Sequence, residues 1–167
     1  MDESDESGER PHEGVLGAQF EPDAALAAEM AGLAGRYVDR GRDLAVTLDY
    51  SDESIETADR IGLQMYAALP QEASHEKLEE LRSALASELG AYFGETFIRN
   101  HGGRWGWLAA PGNRVFGLRT DAGLSAFPLG QARKRLQGAE NESLAASYTF
   151  LWRWPETQTQ RRRSFGS

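Results

Sequence analysis

SHEKLEELRSALASELGAYFGETFIRNHGGRWGW, residues 74–107, reads as one long helix that passes the chain to a strand through a pair of glycines. Leu78, Leu81, Leu85, Leu89 and Phe93 recur at spacings of three and four, which places them on one face at the helical period. A second stripe of Ser83, Ser87, Gly90 and Gly94 carries only small side chains. Glycine costs about 1 kcal/mol against alanine inside a helix, so two of them a turn apart predict a close approach by a neighbouring backbone. Ser74 is the N-cap candidate, with Glu76 in the first turn. Asn100, Gly102 and Gly103 end the segment, with Gly102 expected in a left-handed conformation. This is the expected central helix of a small domain.

Downstream, Trp105, Trp107 and Ala109 alternate with Gly106 and Leu108, so the two tryptophans belong on one side of a strand. Pro111, Gly112 and Asn113 make a turn, RVFGLRT at 114–120 a second strand, and residues 121–123 another turn before a third at 124–127. Two short turns force antiparallel pairing, because a parallel partner needs a long crossover. Pro128 opens a short helix stopped by Gly138. A last helix capped by Asn141 presents Leu144, Tyr148, Leu151 and Trp152 on one face, and Pro155 is expected to close it.

Upstream, a helix with Pro22 at its first position runs to about Arg40, with Gly41 as its stop. LAVTLDY, residues 44–50, has the β-branched content and partial alternation of a strand. Ser51 and Asp52 are cap candidates for a helix carrying Ile55, Ala58, Leu63 and Tyr66 and ending before Pro70. Together these elements predict an α+β domain over residues 21–154. A small antiparallel sheet of three to four strands packs against a long central helix and flanking helices. Residues 1–20, rich in Asp and Glu, read as a disordered acidic tail, and residues 155–167 as a disordered basic one.

A length of 167 residues suits one domain with a real core. The net charge of -8 disfavours non-specific binding to nucleic acid or an anionic membrane, since the field repels phosphates. With no cysteine, disulfides, thiolate metal sites and a cysteine nucleophile are excluded, which fits a reducing compartment. No apolar run approaches the length that spans a bilayer, and a cytoplasmic protein is expected.

Chemistry-bearing residues concentrate in one place: Glu95, Arg99, Asn100, His101, Arg104, Trp105 and Trp107. One reading makes them a ligand pocket. Arg104 would bind an anion, the tryptophans would stack, and His101 or Glu95 would move protons. The plainer reading is a well-capped helix with a Glu95–Arg99 pair and two aromatic residues packed on the sheet. Other matches fail on spacing. Ser74 to Lys77 is S-x-x-K without its companion motifs. His75 lacks a second histidine for H-E-x-x-H chemistry, and the glycines at 102, 103 and 106 do not form a phosphate loop. Asn141 is a formal glycosylation acceptor without a secretion route, and the basic clusters at 133–135 and 161–163 read as solvated faces. No catalytic residue, metal or cofactor is expected.

LGAYFGETFIRNHGGRWGW, preceded by LDYSDESIETADRI and followed by FGLRTDAGLSAFPLGQARKRLQGAENESLAASY, resembles a group of small uncharacterised bacterial proteins catalogued as domains of unknown function. The shared pattern is close to LDYS-x-ES and then LGAYxGE…GGxW, carried here by Leu89, Gly90, Tyr92, Gly94, Glu95, Gly102, Gly103 and Trp105. The resemblance spans residues 44–152 and implies an α+β layout and no particular activity. The functional expectation is a non-enzymatic binding or adaptor domain whose partner is another protein. The alternatives are a small ligand-binding domain or enzyme using Glu95, Arg99, His101 and Arg104, and an immunity or antitoxin-like protein whose acidic surface masks a basic toxin.

Overall fold

The computed structural model describes residues 19–110, 112–138 and 143–164. The elements follow in the order β1 (Phe20–Pro22), α1 (Ala24–Asp43), α2 (Ser54–Ala67), α3 (His75–His101), β2 (Arg104–Ala110), β3 (Asn113–Arg119), β4 (Ser125–Ala126), α4 (Pro128–Leu136) and α5 (Leu144–Ser164). This is an α+β fold. A four-stranded antiparallel sheet in the order β1-β2-β3-β4 lies beside the long helix α3, and the other helices surround that helix.

α3 begins where Ser74 Oγ accepts the N–H of Lys77 at 3.2 Å. Arg99 and His101 sit in its last turn, at the negative end of its dipole. Leu78, Leu85, Leu89 and Phe93 are buried as the periodicity requires. Burial does not stop at that face, however: every residue from Glu88 to Phe97 is enclosed. α1 and α4 pack on this half of the rod, with α2 and α5 completing the cover. The small-residue stripe explains how such packing fits. A Cβ at Gly90 would fall 2.5 Å from Leu129 Cα, so α4 approaches backbone to backbone. Gly94 receives the Trp105 indole instead of a backbone, so only one of the two glycines meets a neighbouring main chain.

The hairpin of β2 and β3 pairs Trp105 with Leu118 and Trp107 with Phe116, both on the side turned toward the helices. Gly102 has φ +80 and Gly103 φ +114, the positive values that let the chain leave α3 and enter β2 at once.

Four expectations are corrected. Residues 44–50 form no strand. Their backbone groups are taken by other partners: Val46 N–H donates to Gly41 O at 2.8 Å and Tyr50 N–H to Tyr92 Oη at 3.0 Å. Ala45 and Tyr50 have φ of 57 and 58, which no strand accommodates. α1 does not stop at Gly41 but reaches Asp43, with the glycine inside the helix against Leu48. Pro22 lies in β1 and not in the first helical turn. At a sheet edge its missing N–H costs nothing, and Asp23 takes the cap by accepting the N–H groups of Ala25 and Leu26. Finally, α5 continues through Pro155 to Ser164. Once a helix is nucleated its propagation is cheap, and the Glu, Gln and Arg residues that follow favour it. Of the tail expected at residues 1–20, residues 1–18 lie outside the described residues, as does the Asn141 cap, while Phe20 lies in β1; Ser143 Oγ accepts the N–H of Ala146 at the start of α5.

Candidate functional site

Polar side chains gather where the loop before α2 meets the end of α3 and the start of α5. The left-handed turn at Tyr50 directs the loop across α3. There Asn100 Nδ2 donates to Tyr50 O at 2.8 Å, and Tyr92 Oη lies 2.6 Å from Ser54 Oγ, which in turn donates to Ser51 O. Asp52 follows. Its Oδ1 accepts from the Tyr148 hydroxyl and lies 3.0 Å from His101 Nε2, which must be the donor because a carboxylate has no proton to give. The His101 ring stacks on Trp152 at 5.5 Å and 3°. Phe97 and Tyr148 pack beside it. Burial pushes the Tyr148 phenol far above its ordinary pKa, and its bond to Asp52 adds to the rise, so the hydroxyl remains a donor.

The residues singled out in the sequence separate into distinct groups. Glu95 Oε1 accepts Trp105 Nε1–H at 2.9 Å, while its other oxygen faces Arg99 Nε at 3.7 Å. The Arg99 guanidinium lies 3.6 Å over the Tyr50 ring. His101 belongs to the Asp52 group just described. Trp107 Nε1 donates to Asp23 Oδ2 at 2.8 Å and stands under Arg114. Arg104 is exposed and lies opposite Arg119 in the sheet register. Glu95, Arg99 and Trp105 are therefore brought together; His101, Arg104 and Trp107 each face elsewhere.

Asp52, Tyr148 and Trp152 complete the His101 group and lie outside the site residues expected from the sequence. Asp52 carries the signal of a helix cap, and the two aromatics fall at core positions of α5, so nothing local in the sequence marks them. Other carboxylates are paired across elements. Asp59 holds Arg135 through two bonds of 3.0 Å, and Glu88 holds Arg40. Among the described residues no three His, Asp or Glu side chains come together as a metal-ligand set. Among those residues no helix is long and apolar enough to cross a membrane.

Clefts open elsewhere among the described residues. One of about 320 Å³ lies between β3 and the start of α4 and is walled by Trp105, Phe116, Phe127 and Leu129, with Arg114 at its rim. The second, of about 370 Å³, lies between α2, α3 and α4. The first has a clear origin. β4 pairs only with Leu118 and Arg119. Continuing that register would set Pro128 opposite Phe116, but proline has no N–H for a ladder, and the chain turns into α4 instead. Among the described residues, no strand thus lies beside the edge of β3 from Asn113 to Phe116 that faces away from β2. Comparison with family models, curated proteins and solved structures gives no match.

Proposed function

We propose that the chain is a non-enzymatic binding domain of the bacterial cytoplasm that docks an extended segment of another protein along β3. The observation that carries this reading is the open edge of Asn113–Phe116 beside an apolar groove. An added strand would satisfy the backbone groups there, and an apolar side chain of the guest would enter between Phe116, Phe127 and Leu129. The distribution of polar groups agrees. Asp52, Asp59, Glu88 and Glu95 hold helices, loop and sheet to one another.

Selection of random peptides displayed on phage tests the proposal. Gly130 is exposed on the groove with open space around it, so Gly130→Trp plugs the groove without disturbing the core. Extended peptides with alternating apolar residues should be enriched on the native protein and lose binding to Gly130→Trp. Peptides that bind both proteins equally, or no enrichment at all, would sink the idea. Enrichment of basic peptides indifferent to the plug would favour the immunity-protein alternative.

A further inference from the structure

The second cleft is chemically unlike the first. It lies between the end of α2 and the facing sides of α3 and α4, with Ala86 and Leu136 as an apolar floor. Arg82 from α3 and Arg133 from α4 both line it, joined by Ser83, Tyr66 and Gln137. Neither guanidinium has its donors filled. Arg82 gives one N–H to Glu79 at 2.8 Å, while its Nε is buried with no hydrogen-bond partner. Arg133 reaches only the neutral Ser83 hydroxyl, at 3.3 Å, and among the described residues no carboxylate pairs with it.

The two glutamates on the rim do not cancel this charge. Glu79 is matched by Arg82 and Glu80 by Lys77, each within α3, which leaves Arg133 uncompensated. A planar guanidinium offers its N–H groups in a fork that fits an oxyanion. The Tyr66 ring lies 5.5 Å from the Arg82 guanidinium carbon, and with the floor it supplies apolar and aromatic contact.

We infer that this cleft binds a small molecule bearing a phosphate monoester or carboxylate on an apolar or aromatic body. The oxyanion meets Arg133 and Ser83 beside the Arg82 guanidinium, and the body rests on Ala86, Leu136 and Tyr66. The volume falls in the range of small-molecule sites. The net charge of -8 repels free anions at long range, so occupancy depends on these close contacts and not on steering. This site shares no wall with the β3 groove, so either reading survives failure of the other.

Phenyl phosphate is the probe, titrated into the full chain while backbone amide resonances are followed by NMR. Saturable shifts are expected at Ser83 and Gln137. Affinity should fall on the order of tenfold or more in Arg133→Gln, because a charge-assisted contact is lost. Ser83→Asp, which sets a carboxylate against Arg133, should give the same loss, and phenol should bind correspondingly less well than phenyl phosphate. Both substituted positions are at the surface, and unchanged spectra elsewhere verify the fold. Absence of saturable shifts up to about 10 mM, or equal affinity in the native protein and Arg133→Gln, overturns the inference.

Discussion

Asp52 Oδ1 accepts from a phenol on α5 and an imidazole on α3, so one carboxylate oxygen joins two helices to the loop before α2. Asp52→Asn keeps the shape but removes the charge that strengthens both bonds. It should lower unfolding free energy by about 1–3 kcal/mol in urea denaturation. Tyr148→Phe, which deletes a single donor, should cost about 1 kcal/mol. If Asp52→Asn leaves the denaturation midpoint unmoved, the cluster is not a tether. Gly94 is a sharper case. Its missing side chain is the space in which the Trp105 indole lies, and that indole donates to Glu95. Gly94→Ala should destabilise by about 1–3 kcal/mol through overpacking and alter near-ultraviolet circular dichroism. The helical propensity of alanine predicts the opposite sign, so the measured direction decides which effect wins.

At the scale of elements, Asp23 connects three of them. It caps α1, its N–H donates to Trp105 O on β2 at 3.2 Å, and it accepts from Trp107 Nε1. The Trp107 bond, followed by the backbone bond from Leu26, holds the Asp23 carboxyl below its ordinary 3.8. A carboxyl with a folded pKa below its unfolded one adds stability that is complete above the unfolded value. That stability is lost as pH falls through the folded one. The native chain should therefore lose part of its stability below about pH 3.8, and Asp23→Asn should flatten that part of the curve. An identical acid slope in both proteins would rule the carboxyl out.

These elements also show what the sequence made legible. The central helix, its cap at Ser74, the glycine exit and the hairpin of β2 and β3 were readable because each rests on local spacing. The strand expected at 44–50 failed because its donors and acceptors are claimed by side chains far along the chain, Tyr92 and Asn100. β1 escaped notice for the complementary reason: three residues become a strand only because the edge of β2 is there to receive them. The grouping of Glu95 with Trp105 was partly visible as a dense stretch, whereas Asp52, Tyr148 and Trp152 meet His101 only after folding.

For the molecule as a whole, ion pairs rather than extra strands fasten the outer helices to one another and to the centre. Arg40–Glu88 ties α1 to α3, and Arg135–Asp59 ties α4 to α2. Asp59 and Glu88 are both buried, so cutting either pair by Arg135→Met or Arg40→Met strands a carboxylate in a dry setting. Each should cost about 3–5 kcal/mol, seen as a fall in melting temperature. The double change Arg135→Met with Asp59→Leu should recover most of that loss; failure to recover would mean the pair supplies more than mutual neutralisation.

The stretch from Glu88 to Phe97, closed in on every side by helices and sheet, has a kinetic consequence. Its amide protons have no shallow route to solvent, because no single neighbour can peel away and uncover them. In heavy water they should be the last in the chain to trade hydrogen for deuterium, at the rate set by opening of the entire fold.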